Sequence, residues 1–105
     1  MTYDFHGDWE QTVGHNSPLF ALTGASNFHK KLTVDFSVGE WHRKGASKEK
    51  LVVGLPTYGR TFTLPSGNLT DIGAPALKAG TPGQYTKEPG FLSFFEVMSI
   101  ETLNQ

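Results

Sequence analysis

The sequence predicts an α/β fold, because two segments typical of buried strands flank one segment typical of an amphipathic helix. Residues 1–5 combine apolar, β-branched and aromatic side chains and end before Gly7. Residues 51–55 (LVVGL) form an apolar run without alternation, so both faces of this strand are expected to be buried, as in a parallel sheet. A loop over residues 6–27 follows the first strand. The order strand, loop, helix, strand is one α/β repeat and the strand that follows it.

The helix between the two strands is predicted over residues 28–44. Its apolar positions, from Val34 to Trp41, recur at helical spacing and define one face, on which Trp41 is expected to be a core residue. Asn27 is a suitable N-cap for this helix. Gly45 follows two basic residues and is expected to end it.

Beyond Arg60 the sequence changes character, which predicts a second domain. Residues 61–64 (TFTL) alternate in polarity as an antiparallel strand does, and a stretch rich in glycine, proline, serine and threonine follows. An apolar cluster that begins at Phe91 is expected to start a short helix. The predicted domains are therefore residues 1–60 and residues 61–105.

The predicted first domain cannot satisfy its own surfaces. Two parallel strands covered by one helix leave open edges and at least one uncovered apolar face of the sheet. The chain is therefore expected either to oligomerise or to be a piece of a larger fold, and the short first strand favours the second alternative.

Composition and charge exclude several classes of function. Lys and Arg number 9 against 10 Asp and Glu, a formal net charge of −1, so no basic stripe is available for nucleic acid. The longest apolar run is far shorter than the about 20 residues of a membrane-spanning helix. No basic segment followed by an apolar one opens the chain, so no signal peptide is predicted. The absence of cysteine excludes a disulfide, a thiol nucleophile and a cysteine-ligated zinc site.

No metal site and no cofactor are predicted from the sequence. Asp4, His6, Glu10 and His15 lie in one stretch, but no two of the histidines have the spacing of metal ligands on one helix. His15 is instead expected to brace the loop by hydrogen bonds.

Polar side chains follow both predicted strands at the point where each strand ends. Tyr3 and Asp4 end the first strand, and Tyr58 and Arg60 follow the second. The carboxyl ends of parallel strands line the ligand site of α/β folds, so these four residues are candidates for one cleft. The alternative for Tyr58 and Arg60 is a turn with a packed tyrosine and a solvated arginine.

Several ordered sequence blocks resemble one known family, the glycoside hydrolase family 18 chitinases, and most closely its animal and arthropod branch. The blocks cover nearly the whole chain and are found at residues 1–7 (MTYDFHG), 14–19 (GHNSPL), 51–64 (LVVGLPTYGRTFTL), 72–75 (IGAP) and 85–92 (YTKEPGFL).

The resemblance implies a fragment of a (β/α)8 TIM barrel followed by part of an α+β insertion domain. Residues 1–5 would be the sixth strand of the barrel and residues 51–55 the seventh. The insertion domain would open at about Thr61. A complete barrel takes about 250 residues, so this chain would hold a minority of one.

The family's general acid has no counterpart in the chain. It is the final Glu of an Asp-x-x-Asp-x-Asp-x-Glu run, and Glu10 follows Asp8 as that Glu follows the last Asp. However, His6 and Tyr3 stand where the run requires Asp. Glu10 is therefore expected to be a solvated loop carboxylate. Trp9 is either a loop residue without contact to the substrate or a residue that contacts the glycan, and both alternatives stay open.

The resemblance also implies a chemistry that uses no enzyme nucleophile, an exception to the usual pair of carboxylates. In this scheme the substrate's own N-acetyl oxygen attacks the anomeric carbon. Tyr3 matches the tyrosine that holds this oxygen, and Asp4 matches the aspartate beside the acid, so both are catalytic candidates. Met1 matches a residue on the pocket floor. Tyr58 and Arg60 match residues that bind sugars, and these three are substrate-binding candidates.

Two functions follow from the resemblance. The first is a fragment of a chitinase that hydrolyses β-1,4-linked N-acetylglucosamine polymers, and the retained Tyr3 and Asp4 favour it. The alternative is a fragment of an inactive, chitin-binding lectin, and a small independent interaction domain is a third reading. Chitin or a chito-oligosaccharide is the expected partner, and secretion is implied. Asn68 begins an N-glycosylation sequon that is meaningful only if the chain is secreted. Met98 replaces a cysteine common in animal relatives, which excludes a disulfide there.

Overall fold

The computed structural model describes residues 1–103, which form two helices, two turns of 3₁₀ helix and four short strands. In chain order these are a 3₁₀ turn at His29–Lys31, α1 at Val34–Arg43, a second 3₁₀ turn at Lys48–Lys50, β1 at Tyr58–Arg60, β2 at Phe62–Thr63, β3 at Lys78–Ala79, β4 at Phe91–Ser93 and α2 at Phe94–Leu103.

The chain divides by contact into two compact units. Unit 1 comprises Met1–Phe5 and Ser17–Leu55, and unit 2 comprises His6–Asn16 and the chain from Pro56 onward. These units are defined by contact and are not the predicted domains. The domain boundary near Arg60 therefore stays a prediction.

The helix of unit 1 begins later than the sequence predicts. Thr33, and not Asn27, is the N-cap of α1: its hydroxyl accepts a hydrogen bond from the Phe36 amide at 3.2 Å. The amides of Val34 and Asp35 donate to backbone carbonyls of the preceding loop, so the first-turn donors are satisfied. The predicted start at residue 28 is wrong because a 3₁₀ turn, interrupted before Thr33, occupies the beginning of that segment.

The end of α1 confirms the predicted stop at Gly45. This glycine has a φ of 107°, which only a residue without a side chain adopts readily. The Gly45 amide donates to the His42 carbonyl and the Ala46 amide to the Trp41 carbonyl. Trp41 itself is 65% exposed, so the prediction that it is a core residue is wrong. Helical periodicity identified the apolar face, and that face is covered only at its Val34 end.

The two segments predicted as parallel strands do not form strands in the structure. Residues 1–5 and 51–55 approach each other through the Thr2 hydroxyl, which donates to the Gly54 carbonyl at 2.7 Å. A strand requires a ladder of backbone hydrogen bonds, and a bond from a side chain does not supply one. Val52 and Leu55 are 90% and 80% exposed.

Unit 2 contains two antiparallel ladders. Strand β1 pairs with β4, with Tyr58 opposite Ser93 and Arg60 opposite Phe91, and strand β2 pairs with β3. The predicted antiparallel strand at residues 61–64 is thus confirmed over β2. The reading of Tyr58 and Arg60 as parts of a turn is wrong, because both lie in β1.

Backbone hydrogen bonds join the loop at residues 6–16 to the segment around Ala74 in the same unit. The Val13 amide donates to the Ala74 carbonyl at 2.9 Å, the Gly73 amide donates to the Val13 carbonyl at 2.8 Å, and the Ala76 amide donates to the Gln11 carbonyl at 2.9 Å. Residues 6–16, predicted only as loop, therefore have a defined backbone path.

The chain exposes more surface than a compact folded monomer of its mass. It exposes 7690 Å², whereas a folded monomer of this mass exposes about 5,800 Å² by the usual scaling with mass. Among residues 1–102, the buried apolar side chains are those of Val34 and Ala76. None of the helices described is long and apolar enough to cross a membrane.

Candidate functional site

The candidate residues of unit 1 lie where the first segment ends. Tyr3 is half-buried and its ring packs against Gly54, where an added Cβ would lie 3.1 Å from the ring. Asp4 has a φ of 59°, a left-handed conformation that aspartate adopts more readily than most residues. The backbone therefore leaves the extended conformation at Asp4, and the chain bends at Phe5 and His6. Such a change of direction is required if neighbouring side chains are to serve one site. Met1, expected on a pocket floor, is 95% exposed.

The residue before Tyr3 is fixed from two sides. Thr2 is buried, and its hydroxyl is bonded to the carbonyl of Gly54. Its own carbonyl accepts a hydrogen bond from the Ser17 hydroxyl at 2.5 Å. Ser17 thus helps to place Tyr3, a role that sequence reasoning missed although the block at residues 14–19 was recognised.

In unit 2, β1 presents both of its candidate residues to the same surface. Tyr58 and Arg60 are two positions apart, and residues two apart lie on one face of a strand. The Tyr58 ring stacks on Phe91 with centroids 4.8 Å apart. The Arg60 guanidinium lies 5.5 Å from the Tyr58 ring and 5.7 Å from the Phe91 ring.

Trp9 joins the same group of side chains. The Arg60 guanidinium lies 5.2 Å from the centroid of the Trp9 ring, which is within the range of a cation–π interaction. Trp9 remains 56% exposed. We call Trp9, Tyr58, Arg60 and Phe91 the aromatic–arginine surface. Aromatic faces beside fixed hydrogen-bond donors suit a sugar, which has apolar C–H groups and hydroxyl acceptors.

Asn16 contacts the strand that carries this surface. Its side-chain amide donates to the Tyr58 carbonyl at 3.2 Å. As with Ser17, the sequence block that contains Asn16 was recognised, but its contact to a strand more than 40 positions away was not foreseeable from local pattern.

Glu10 is not the solvated carboxylate that the sequence predicts. Its Oε2 lies 2.7 Å from His6 Nδ1, and both side chains are largely buried. The Glu10 amide also donates to the Gly7 carbonyl at 3.0 Å. The pair therefore closes the turn that carries Trp9.

Glu96 is the buried carboxylate of unit 2, and sequence reasoning missed it. It lies at the third position of α2, and its oxygens accept five hydrogen bonds, from the backbone amides of Tyr85, Thr86 and Ser93 and from the hydroxyls of Thr86 and Ser93. Burial raises the pKa of the Glu96 carboxyl, but these hydrogen bonds favour the carboxylate more strongly and lower its pKa from 4.5 to about 2. The S-x-x-E spacing of a capping box was the available sequence signal.

The predicted site residues are thus distributed over both units. Unit 2 brings Tyr58 and Arg60 together, and adds Trp9 and Phe91. Met1, Tyr3 and Asp4 lie in unit 1.

Residues 1–103 match the sequence model of the glycosyl hydrolases family 18, and the chain belongs to this family. The predicted family resemblance is therefore confirmed, and the small α/β structure fits the fold of that family.

Individual relatives include catalytic and non-catalytic proteins. The chain is 48% identical over 99 residues to mouse chitotriosidase-1, covering 94% of this chain and 21% of that protein. An immunomodulatory active chitinase from Trichuris suis superposes with a TM-score of 0.95 at 43% identity, over 98% of this chain and 28% of the other. Human YKL-39, a pseudo-chitinase with retained chitooligosaccharide binding properties, gives a TM-score of 0.92 at 40% identity, over 97% and 28%. The chain spans about a fifth of the length of the curated relatives it matches.

Proposed function

We propose that this chain forms part of the substrate cleft of a family 18 chitinase, which hydrolyses β-1,4-linked N-acetylglucosamine polymers. The aromatic–arginine surface carries the proposal. Tyr58 and Arg60 on β1, Phe91 on the paired strand β4 and Trp9 on the loop at residues 6–16 offer a sugar both aromatic faces and hydrogen-bond donors.

In this proposal residues 1–5 and 51–55 are the sixth and seventh strands of a (β/α)8 barrel. Val52 and Leu55 support the assignment, because large aliphatic side chains on both faces of a segment are typical of strands covered on both sides. Residues 61–105 are then the first part of the insertion domain.

The proposed reaction is a retaining hydrolysis assisted by the substrate. The acetamido oxygen attacks the anomeric carbon while the bond to the leaving oxygen breaks, and a general acid outside these 105 residues protonates that oxygen. A water molecule then attacks the anomeric carbon, the bond to the acetamido oxygen breaks, and the deprotonated acid takes a proton from the water. Tyr3 holds the acetamido oxygen, a positioning role. The half-buried ring against Gly54 and the fixed neighbour Thr2 support this assignment. Asp4 contacts the same sugar, Met1 lines the pocket floor, and Tyr58 and Arg60 bind the neighbouring sugars.

A second candidate is a chitin-binding protein without hydrolytic activity. The similarity to YKL-39 favours it, since a pseudo-chitinase shares the fold of 97% of this chain. The aromatic–arginine surface serves binding in either protein.

The test uses the longer protein that carries this chain. Binding of chito-oligosaccharides is measured by calorimetry and hydrolysis with a chromogenic chitobioside. Binding with hydrolysis supports the chitinase, binding alone supports the second candidate, and absence of both rejects the proposal.

The matched variants are two arginines of the chain. Arg60→Ala is expected to weaken binding about tenfold or more, the equivalent of one lost hydrogen bond with its ring contacts. Arg43→Ala removes an exposed arginine paired with Glu40 on α1 and is expected to leave binding unchanged.

A further inference from the structure

The buried carboxylate of Glu96 connects three parts of unit 2. One oxygen accepts from the amides of Tyr85 and Thr86 at 2.8 and 3.1 Å. The other accepts from the amide and hydroxyl of Ser93, both at 2.9 Å, and from the Thr86 hydroxyl at 2.8 Å. Glu96 is 5% exposed. The carboxylate therefore joins the 85–86 turn, the end of β4 and the first turn of α2.

The chain leaves room for this carboxylate. An added Cβ at Gly83 would overlap the Glu96 carboxylate. The Lys87 amide also donates to the Gly83 carbonyl at 3.0 Å, which closes the turn around the same oxygens. A buried charge costs free energy unless it is fully bonded, and here five donors bond it.

Ser93 links this network to the sugar-binding strand. It is the antiparallel partner of Tyr58, and the next residue, Phe94, donates its amide to the Thr57 carbonyl at 3.0 Å. The same register sets Phe91 opposite Arg60. Whatever holds Ser93 in place therefore also sets the position of the Tyr58 ring on Phe91.

We infer that Glu96 is a positioning residue for the aromatic–arginine surface, acting through Ser93 on β4 and β1. The inference rests on the proposed function for its sugar readout. In this inference Glu96 contributes to the affinity for chito-oligosaccharides although its carboxylate does not contact the sugar.

The experiment compares Glu96→Gln and Thr86→Val with Thr33→Ala in the longer protein. Thr33→Ala removes the cap of α1 and is the control for loss of stability alone. The Kd for a chito-oligosaccharide is measured well below the Tm of each variant. Glu96→Gln is expected to raise it about tenfold, Thr86→Val to raise it less, and Thr33→Ala to leave it unchanged. A lower Tm with an unchanged Kd in both unit 2 variants would overturn the inference.

A second readout does not depend on sugar binding. Amide exchange at Gly59 and Thr61, whose positions alternate with Tyr58 and Arg60 as the hydrogen-bonded ones facing β4, is expected to accelerate in Glu96→Gln, because the β1–β4 register loosens, and to stay unchanged in Thr33→Ala. Unchanged exchange in Glu96→Gln would overturn the inference even if the protein binds no sugar. Faster exchange in a protein without sugar affinity would reject the proposed function alone.

A different observation concerns the connection between β2 and β3. Asn68, Leu69 and Thr70 form the sequon Asn-x-Thr, and all three are exposed. The backbone amide of Asn68 donates to the Ser66 hydroxyl at 3.3 Å, and the backbone amide of Leu69 donates to the Ser66 carbonyl at 3.4 Å. The sequon therefore lies in a surface turn, where a large polar group meets no packed neighbour.

We propose that Asn68 carries an N-linked glycan. In the transfer, Asn68 Nδ2 forms a bond to the anomeric carbon of a lipid-linked oligosaccharide. The bond from that carbon to the pyrophosphate oxygen breaks and the lipid pyrophosphate leaves. The side-chain amide of Asn68 loses one proton.

The test expresses the longer protein with its own leader in a eukaryotic secretory host. Mass spectrometry before and after treatment with an N-glycosidase is expected to show one glycan on the peptide that contains Asn68. Asn68→Gln and Thr70→Ala are expected to lose it, and Thr70→Ser to keep it. An unmodified Asn68 in secreted protein, or a protein that is not exported, would overturn this proposal and leave the chitinase proposal untouched.

Discussion

The two units differ in how their backbones are paired. In unit 2 the strands form antiparallel ladders, and the loop at residues 6–16 is bonded to the segment around Ala74. In unit 1 residues 1–5 and 51–55 are joined through the Thr2 hydroxyl. Unit 2 also exposes apolar side chains, such as Phe94 of α2. The backbone of its strands is nevertheless hydrogen-bonded in ladders.

The difference follows from the type of pairing that each sequence requires. Antiparallel strands find partners within one small unit, whereas strands of a parallel sheet need neighbours on both sides and helices on both faces. A piece of a parallel sheet is therefore less self-sufficient than an antiparallel piece of the same length.

The largest effect is expected in catalysis, since the general acid of the proposed reaction lies outside this chain. The 105-residue chain alone is expected not to hydrolyse a chromogenic chitobioside, because positioned proton transfer is worth about 10²–10⁴-fold in rate. Turnover above a protein-free blank that scales with the amount of purified chain would contradict this prediction.

The next effect concerns folding of the isolated chain, which is expected to self-associate and to unfold without one sharp transition. Each exposed large apolar side chain forfeits about 1.5–3 kcal/mol of burial, against a total stability of about 5–15 kcal/mol for a domain. Sedimentation and urea unfolding test this. A monodisperse monomer with one sharp transition would show that unit 1 is self-sufficient.

Leu55→Ala is expected to have different consequences in two contexts. In the isolated chain, where Leu55 is exposed, the urea unfolding profile should not change. In the longer protein, where a seventh barrel strand would be covered, the loss of unfolding free energy should be about 2–5 kcal/mol. Urea unfolding of both proteins tests this. Equal small effects would argue against the barrel placement of residues 51–55.

Tyr3→Phe in the longer protein is expected to lower kcat about 10–100-fold with a smaller change in KM. The lost hydrogen bond matters most when the acetamido oxygen attacks, so its loss falls on the transition state. Tyr85→Phe, at an exposed tyrosine of unit 2, is the matched control and should leave both constants unchanged. An unchanged kcat with a raised KM would show that Tyr3 only binds.

A pH dependence confined to unit 2 is also expected. Because folding lowers the pKa of Glu96 to about 2, its contribution to stability is complete above the ordinary pKa of 4.5 and is lost as the pH falls towards 2. In the longer protein, the difference in urea midpoint between wild type and Glu96→Gln should therefore shrink below pH 4.5. A difference that stays constant with pH would contradict the assignment.

Local chemistry was the part of this structure that could be predicted from sequence. The stop at Gly45 and the strand within residues 61–64 follow from neighbouring residues. The start of α1 was misplaced because Asn27 and Thr33 are both good caps, and only the backbone bonds to the preceding loop favour Thr33. Trp41 was misassigned because periodicity identifies a face of a helix and not what covers it.

The sequence predicted candidate residues of the site but not how they are arranged in space. Tyr58 and Arg60 were named from their position after the second predicted strand and then from the family blocks, whereas the approach of Trp9 to Arg60 depends on a loop path that no local pattern reports. Glu96 was foreseeable in part. Its spacing from Ser93 predicts a capping box, but its bonds to Tyr85 and Thr86 depend on tertiary structure.

The left-handed backbone at Asp4 affects how a mutational scan of this chain would be read. An alanine at a φ of 59° carries a backbone cost of about 1–2 kcal/mol, which adds to whatever the lost carboxylate does. Asparagine tolerates the same backbone and removes only the charge, and glycine accepts it with no side chain at all. A scan that includes all three substitutions separates the geometry of the turn from the chemistry of its carboxylate, which alanine alone would merge into one number.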